Sequence, residues 1–393
     1  MGQHSLFDQP KIAALLAQEY PRFSDAEYAR RRRALAAVME AHGCDHLLVC
    51  GEQRAGSGVQ WLTGWPATIE ALVIFKPPER ERMFMEWYNH LPLARRIARD
   101  TDVRWGEHRG VQKTVAELKK NGARRVGIMG MLGFAKHRAL AEHFDCADLN
   151  REYVRLRLVK SEEEIDWMRI GAAFSDLGQE ALREQLRVGM TEHELGNIVE
   201  RAWVGLGGGT VIHFMGITPM ADPSICVPPQ HHSARTAQAG DVVFTEFTAH
   251  FWDYPGQVLR SYTVAADPTP LYQRLYETAE AAFDAVCKVL RHGASMHSIV
   301  DAAGVIEDAG FTVFDDLMHG YGGGYFPPVL GTKSRPAGPL PEMTLEENMT
   351  VVVQPNVITL DQKAGVQVGE LVRITRDGVE RLHGAPRGFF RLG

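Results

Sequence analysis

The sequence predicts an α+β protein whose first part is a smaller α/β domain, and three observations carry that reading. Strand-like and helix-like runs take turns up to about residue 150. Two later helices open on capping sequences. Two β-rich runs then flank a short turn sequence, which places helix pairs beside an antiparallel sheet.

In chain order, residues 1–27 read as an N-terminal extension, 28–154 as the smaller domain and 155–393 as the larger one. Apolar residues at helical spacing from Tyr28 to His42 lead into a short apolar strand, His46 to Cys50. A second strand, Ala71 to Phe75, stops at Lys76-Pro77-Pro78, because proline has no N–H to give a ladder. A helix around Leu91 to Asp100 and a strand at Arg125 to Met129 follow, and the basic-apolar stretch Arg151 to Val159 reads as a linker. Ser161-Glu-Glu-Glu164 is a capping box, in which the serine oxygen accepts from the third helical N–H and the glutamate accepts from the serine N–H. It opens a long helix to about Leu186, and Thr191-Glu-His-Glu194 repeats the device. Gly207-Gly208-Gly209 leads into irregular, proline-containing sequence up to Gln230. Strands at Asp241 to Phe247 and Val258 to Val264 are separated by the turn Trp252-Asp-Tyr-Pro-Gly256. Helices near Leu271 to His292 and Met296 to Ala309, a glycine cluster, and strands at Thr350 to Val353 and Gly369 to Thr375 complete the chain.

Composition narrows the function classes. The 393 residues carry 43 Lys plus Arg against 49 Asp plus Glu, a formal charge of −6, with 45% hydrophobic and 23% charged residues. Such a chain folds, and without basic clusters it is not built for nucleic acid or an anionic membrane. No apolar run reaches the roughly 18–20 residues that span a bilayer. The N-terminal residues lack the apolar core of a signal peptide, and Cys44, Cys50, Cys146, Cys226 and Cys287 are widely spread with no CxxC pair. Reduced thiols in the cytoplasm and a small-molecule partner are the expectation. The many acids and 16 histidines leave a metalloenzyme open, and position must decide.

The phrases Val159-Lys-Ser-Glu-Glu-Glu-Ile165, Val188-Gly-Met-Thr-Glu-His-Glu-Leu195, Gly240-Asp-Val-Val-Phe244 and His319-Gly-Tyr-Gly322 together resemble the creatinase/aminopeptidase P superfamily. The resemblance implies a pita-bread catalytic domain preceded by a creatinase-type N-terminal domain. In metallopeptidase members of that superfamily two Asp, one His and two Glu hold two metal ions. At those positions this chain has Glu246, Gln257, His319, Gln354 and Gly369, the last followed by Glu370. Two neutral amides and a glycine remove most of the attraction for a pair of dications.

The expectation that follows is a metal-independent, creatinase-like hydrolase of an amide, urea or guanidino-like C–N bond in a small molecule, with no cofactor. His319, Glu246, Glu370 and one of His231 and His232 would carry acid–base chemistry, since an imidazole oriented by a carboxylate can move a proton near neutral pH. Gln257 and Gln354, each with a donor and an acceptor, would bind substrate beside Tyr254 and Tyr321. Arg54 is a candidate anchor for a carboxylate, and Trp61 lies in Trp61-Leu-Thr-Gly-Trp65, which resembles an N-domain phrase that reaches the partner's site in family dimers. A homodimer is therefore expected. Alternatives stay open: a single divalent metal at Glu246, His319 and Glu370 in a mononuclear hydrolase or Xaa-Pro-type peptidase, a lyase, or a non-catalytic binding member.

Overall fold

The computed structural model describes residues 5–51 and 58–393. It contains two compact units: Gln18–Arg157, and Leu158–Gly393 together with the described residues up to Ala17. The first residues are thus divided. Ile12, on the helix Pro10–Leu16, is buried in the larger unit, and Lys11 pairs with Asp166 there.

In the smaller unit a six-stranded sheet runs in the order Asp102–Trp105, Arg82–Met85, Ala71–Phe75, His46–Gly51, Arg125–Met129, Asp145–Asp148. The central strand His46–Gly51 is buried along its whole length, which is why it reads as a continuous apolar run. Ser24 caps the helix Asp25–Ala41 by accepting from the Glu27 N–H. On that helix Arg31 is buried, pairs with Glu27 and donates to the Trp61 carbonyl at 2.7 Å. Its guanidinium lies 5.1 Å from the Trp61 ring, so Trp61 is core of its own unit. The stretch expected as a linker is the helix Asn150–Leu158, which buries Tyr153 and Arg157 one turn apart, with Arg157 donating to the Tyr153 hydroxyl at 2.7 Å. Its arginine-rich outer face hid the helical period.

The larger unit is built on an antiparallel sheet that orders Tyr325–Leu330, Met318–Tyr321, Thr350–Val353, Gly369–Ile374, Tyr254–Val264, Asp241–Phe251 and Gly209–Pro219. Both capping boxes form as expected, Ser161 with Glu164 and Thr191 with Glu194, and open the helices Glu162–Gln185 and Glu192–Val204. The longer helix packs so closely on the sheet that a Cβ on Gly256 would stand 2.1 Å from the Ala172 Cα. The helices Pro270–Val289 and Met296–Ala302 bury Tyr272, Leu275, Phe283 and Ile299 in the core of this unit.

Two features depart from expectation. Gly209–Pro219, expected to be irregular, is an 11-residue edge strand. The hairpin after Phe251 turns on Trp252 and Asp253, both left-handed with φ 47° and 72°, so the strands run to Phe251 and restart at Tyr254.

Candidate functional site

Strand pairing decides which side chains share a face. Residues opposite one another across a ladder point the same way, and neighbours along a strand point opposite ways. Glu246 pairs with Leu259, which pairs with Gly369; Leu371 pairs with Val352, which pairs with His319. Gln257 and Gln354 each stand two residues from a member of that row. Glu246, Gln257, His319 and Gln354 therefore project from one face of the sheet, into a cavity of about 260 Å³. Asp315 and Asp316, on the segment entering the His319 strand, complete its acidic wall.

The four face residues are held by one another. Gln257 Nε2 donates to Glu246 Oε1 at 2.8 Å and to Gln354 Oε1 at 3.1 Å, while Gln257 Oε1 is buried without a hydrogen-bond partner. The His319 ring stacks on Tyr325 with centroids 3.9 Å apart. Its Nδ1 lies 3.2 Å from the Gly320 carbonyl, an arrangement that puts the ring proton on Nδ1 and leaves Nε2 a lone pair. Tyr325 in turn hydrogen-bonds Asp316, and Asn356 Nδ2 donates to Asp315 Oδ1 at 2.7 Å.

Charge is the dominant property of this cavity. Glu246, Asp315 and Asp316 line it together, and among the described residues no Lys or Arg does. Burial, and then repulsion from Asp315 and Asp316, pushes the Glu246 carboxyl up to about 8. Asp315, at the rim, is raised to about 6 by loss of water around it and by the Asp316 carboxylate. Burial holds His319 down at about 4, so its imidazole is neutral at physiological pH.

Several expected site residues lie elsewhere. Glu370 pairs with Val258 and falls on the opposite face with Arg260, because a step of one residue along a strand reverses the side chain. There it is fully buried, accepts from Arg260 Nη2 at 2.8 Å and from Arg381 Nη2 at 3.0 Å, and is removed from catalysis and from any metal at Glu246 and His319. Burial alone would raise its carboxyl, but the Arg381 hydrogen bonds and the Arg260 charge outweigh it and hold it below the usual carboxylate range. His231 is exposed, and His232 packs its ring 4.5 Å from that of His213; neither lines the cavity, where Gln230 does. Tyr254 donates to Glu164 Oε1 at 2.8 Å and packs against Trp167, so it braces the long helix. Tyr321 is buried beside the His319 ring without lining the cavity, and Tyr325 takes the place expected of it. Trp61 is buried in the smaller unit, and Arg54 lies outside the described residues.

Sequence reasoning missed Asp315, Asp316 and Gln367 as site residues. The two aspartates carried a signal, standing just before His319; Gln367 carried none, since only the register of the following strand turns it inward.

Fold and cavity together define a two-domain hydrolase, a pita-bread domain preceded by a creatinase/prolidase-type N-terminal domain. Residues 166–376 match the model of metallopeptidase family M24, and residues 31–170 that of the creatinase/prolidase N-terminal domain. The chain belongs to metallopeptidase family M24. It is 24% identical over 401 residues to an uncharacterized hydrolase/peptidase, y4tL, of Sinorhizobium fredii, covering 94% of this chain and 97% of that one. It is 23% identical over 277 residues to an Xaa-Pro dipeptidase of Pyrococcus furiosus, covering 68% of this chain and 76% of the other. The crystal structure of dipeptidase PepE from Mycobacterium ulcerans superposes with a TM-score of 0.78 at 21% identity, covering 94% of this chain and 99% of that one.

These findings overturn two expectations. A family of metallopeptidases whose named relatives are dipeptidases contradicts a metal-independent hydrolase of small C–N compounds, and it contradicts the absence of a cofactor. The acids read as too few were counted only on the strands, whereas Asp315 and Asp316 enter the same cavity from a preceding segment. Among the described residues no helix is long and apolar enough to cross a membrane.

Proposed function

We propose that this protein is a divalent-metal-dependent peptidase that hydrolyses the amide bond of a short peptide, in the manner of the Xaa-Pro dipeptidases it resembles. The observation that carries the reading is the cavity itself: three carboxylates, an imidazole and four amides around one small space, with no cationic side chain among the described lining residues. Such a wall repels itself until a cation enters. A volume of about 260 Å³ suits a substrate of one or two residues better than a long chain.

The side chains fit one ion. Among the described residues no three His, Cys, Asp or Glu side chains converge as a metal-binding group. A cation would therefore draw on Glu246, His319 Nε2 and the unpartnered Gln257 Oε1, a mixed oxygen and nitrogen set suited to Mn, Co, Fe or Zn. The bound ion would supply Lewis acidity and an activated water. The chain's own part is distinct. Glu246, beside that water, is placed to move a proton between it and the leaving nitrogen. Tyr325 fixes the His319 ring, and Asp315 and Asp316 favour the positive end of a substrate at the rim. Five widely spread cysteines without a CxxC pair suit a reducing compartment. A homodimer rests on the resemblance alone, and light scattering would check it.

Calorimetric titration of chelator-treated protein with Mn²⁺ or Zn²⁺ is expected to saturate near one equivalent, and His319→Ala should abolish it. Release of proline from alanyl-proline by the loaded protein completes the test. No metal uptake and no cleavage with Mn, Co or Zn would remove the reading. Since Gln257 and Gln354 face the same cavity, the double variant Gln257→Asp, Gln354→Glu should raise bound metal in elemental analysis; unchanged stoichiometry would contradict the placement of those side chains.

A further inference from the structure

Gln367 is fully buried, and neither Oε1 nor Nε2 of its amide has a hydrogen-bond partner, yet the residue lines the cavity. Its backbone is clamped from both sides by Ser261: the Gln367 N–H donates to Ser261 Oγ at 2.7 Å, and that hydroxyl donates to the Gln367 carbonyl at 3.0 Å. The clamp fixes the backbone from which the side chain enters the cavity. A primary amide left unpaired in an interior is costly on both its donor and its acceptor side, and native proteins rarely leave one so unless a ligand completes it. Gln257 Oε1, buried on the same wall, is unpartnered too.

The charges around this amide limit what can complete it. A free dipeptide brings an ammonium and a carboxylate into the cavity. The ammonium meets Asp315 and Asp316 at the rim. A carboxylate could accept from Gln367 Nε2 but has no N–H to give Gln367 Oε1, and among the described lining residues there is no Lys or Arg to receive it. A peptide that ends in a carboxamide carries the same ammonium and no anion. Its terminal amide presents a donor and an acceptor side by side, the complement of Gln367, and two such groups pair head to tail through two N–H···O bonds.

We propose that Gln367 is a specificity-determining residue that binds a neutral carboxamide, so that the preferred substrates are short peptide amides with a free amino group rather than peptides with a free carboxylate. This deepens, and rests on, the peptidase reading of the same cavity. Water adds across the internal amide: the carbonyl carbon gains the hydroxyl, the nitrogen gains the proton, and the carboxamide leaves intact on the second product.

The test compares alanyl-prolinamide with alanyl-proline on the full chain, by calorimetric binding to chelator-treated protein and by kcat/KM of the metal-loaded protein. The expected result is at least a tenfold preference for the amide in both. In Gln367→Met, which keeps an unbranched chain of similar volume, that preference should fall toward one through KM, with kcat little changed. Equal binding of the two ligands by the wild type, or a preference for alanyl-proline, overturns the proposal whatever the variant does. A loss in Gln367→Met that is equal for both ligands also overturns it. If the amide binds with preference but neither compound is cleaved under any metal, the peptidase reading fails and the assignment of Gln367 stands.

Discussion

Replacing Glu246 with Gln is expected to lower kcat by about 10²–10⁴-fold, the usual worth of a positioned acid–base group, while making the metal-free protein more stable at alkaline pH. The first effect follows from its place in the cavity, the second from its burial. An ordinary glutamate titrates near 4.5, and Glu246 near 8, so between those values the folded protein holds a proton that the unfolded chain has released. Stability from this group is therefore complete below about 4.3 and falls as pH rises toward about 8. The full shift corresponds to a loss on the order of 5 kcal/mol by pH 9. Glutamine keeps the oxygen that accepts from Gln257 and never ionises, so the variant should lack that pH slope. Thermal unfolding of both proteins from pH 5 to pH 9, with kcat measured on the loaded forms, reads both effects. A variant as active as the wild type would end the role given to Glu246, and parallel stability profiles would end the account of its burial.

Arg260→Met is expected to have the largest effect on stability, a loss on the order of 3–5 kcal/mol, because it strands a fully buried carboxylate. Arg381 remains on Glu370, but its side chain is 45% exposed and cannot replace a partner inside the sheet. The pH dependence has the opposite sign to that of Glu246. Glu370 is held below the usual range, so its stabilisation is present above about 4.3 and lost as pH falls through its folded value. The wild type should therefore lose stability in acid more steeply than a Glu370→Gln variant. Because this pair lies on the face of the sheet opposite the cavity, metal stoichiometry of folded Arg260→Met should stay that of the wild type. A change in metal content without a change in melting temperature would return Glu370 to the site.

The two glutamates show how far the residues alone can be read. Glu246 and Glu370 both stand at or beside positions where the family resemblance implies ligands, and both are acidic residues on strands. Nothing local separates them. The ladder does: Glu246 pairs into the row that contains Gly369 and Leu371, and Glu370 into the row that contains Val258. The same alternation places Tyr254 and Arg260 away from the cavity. Trp61 failed for another reason, since its phrase is matched by family likeness while Arg31, far away in sequence, buries it.

What the sequence determined by itself is local in its physics. The two capping boxes placed two helix starts because Ser161 and Glu164, or Thr191 and Glu194, satisfy each other's backbone within a single turn. The strand at Ala71–Phe75 and its stop at two prolines were legible for the same reason, and so was the family, whose phrases lie at those punctuation points. The tertiary structure decided what depends on residues far apart in the chain. Asp315, Asp316 and Gln367 join Glu246 because separate strands and loops meet there, and the proton affinity of Glu246 is set by neighbours about seventy residues away. Charge, burial and unpaired amides are properties of that meeting: a carboxylate in water is ionised and an amide in water is satisfied, and only enclosure changes either.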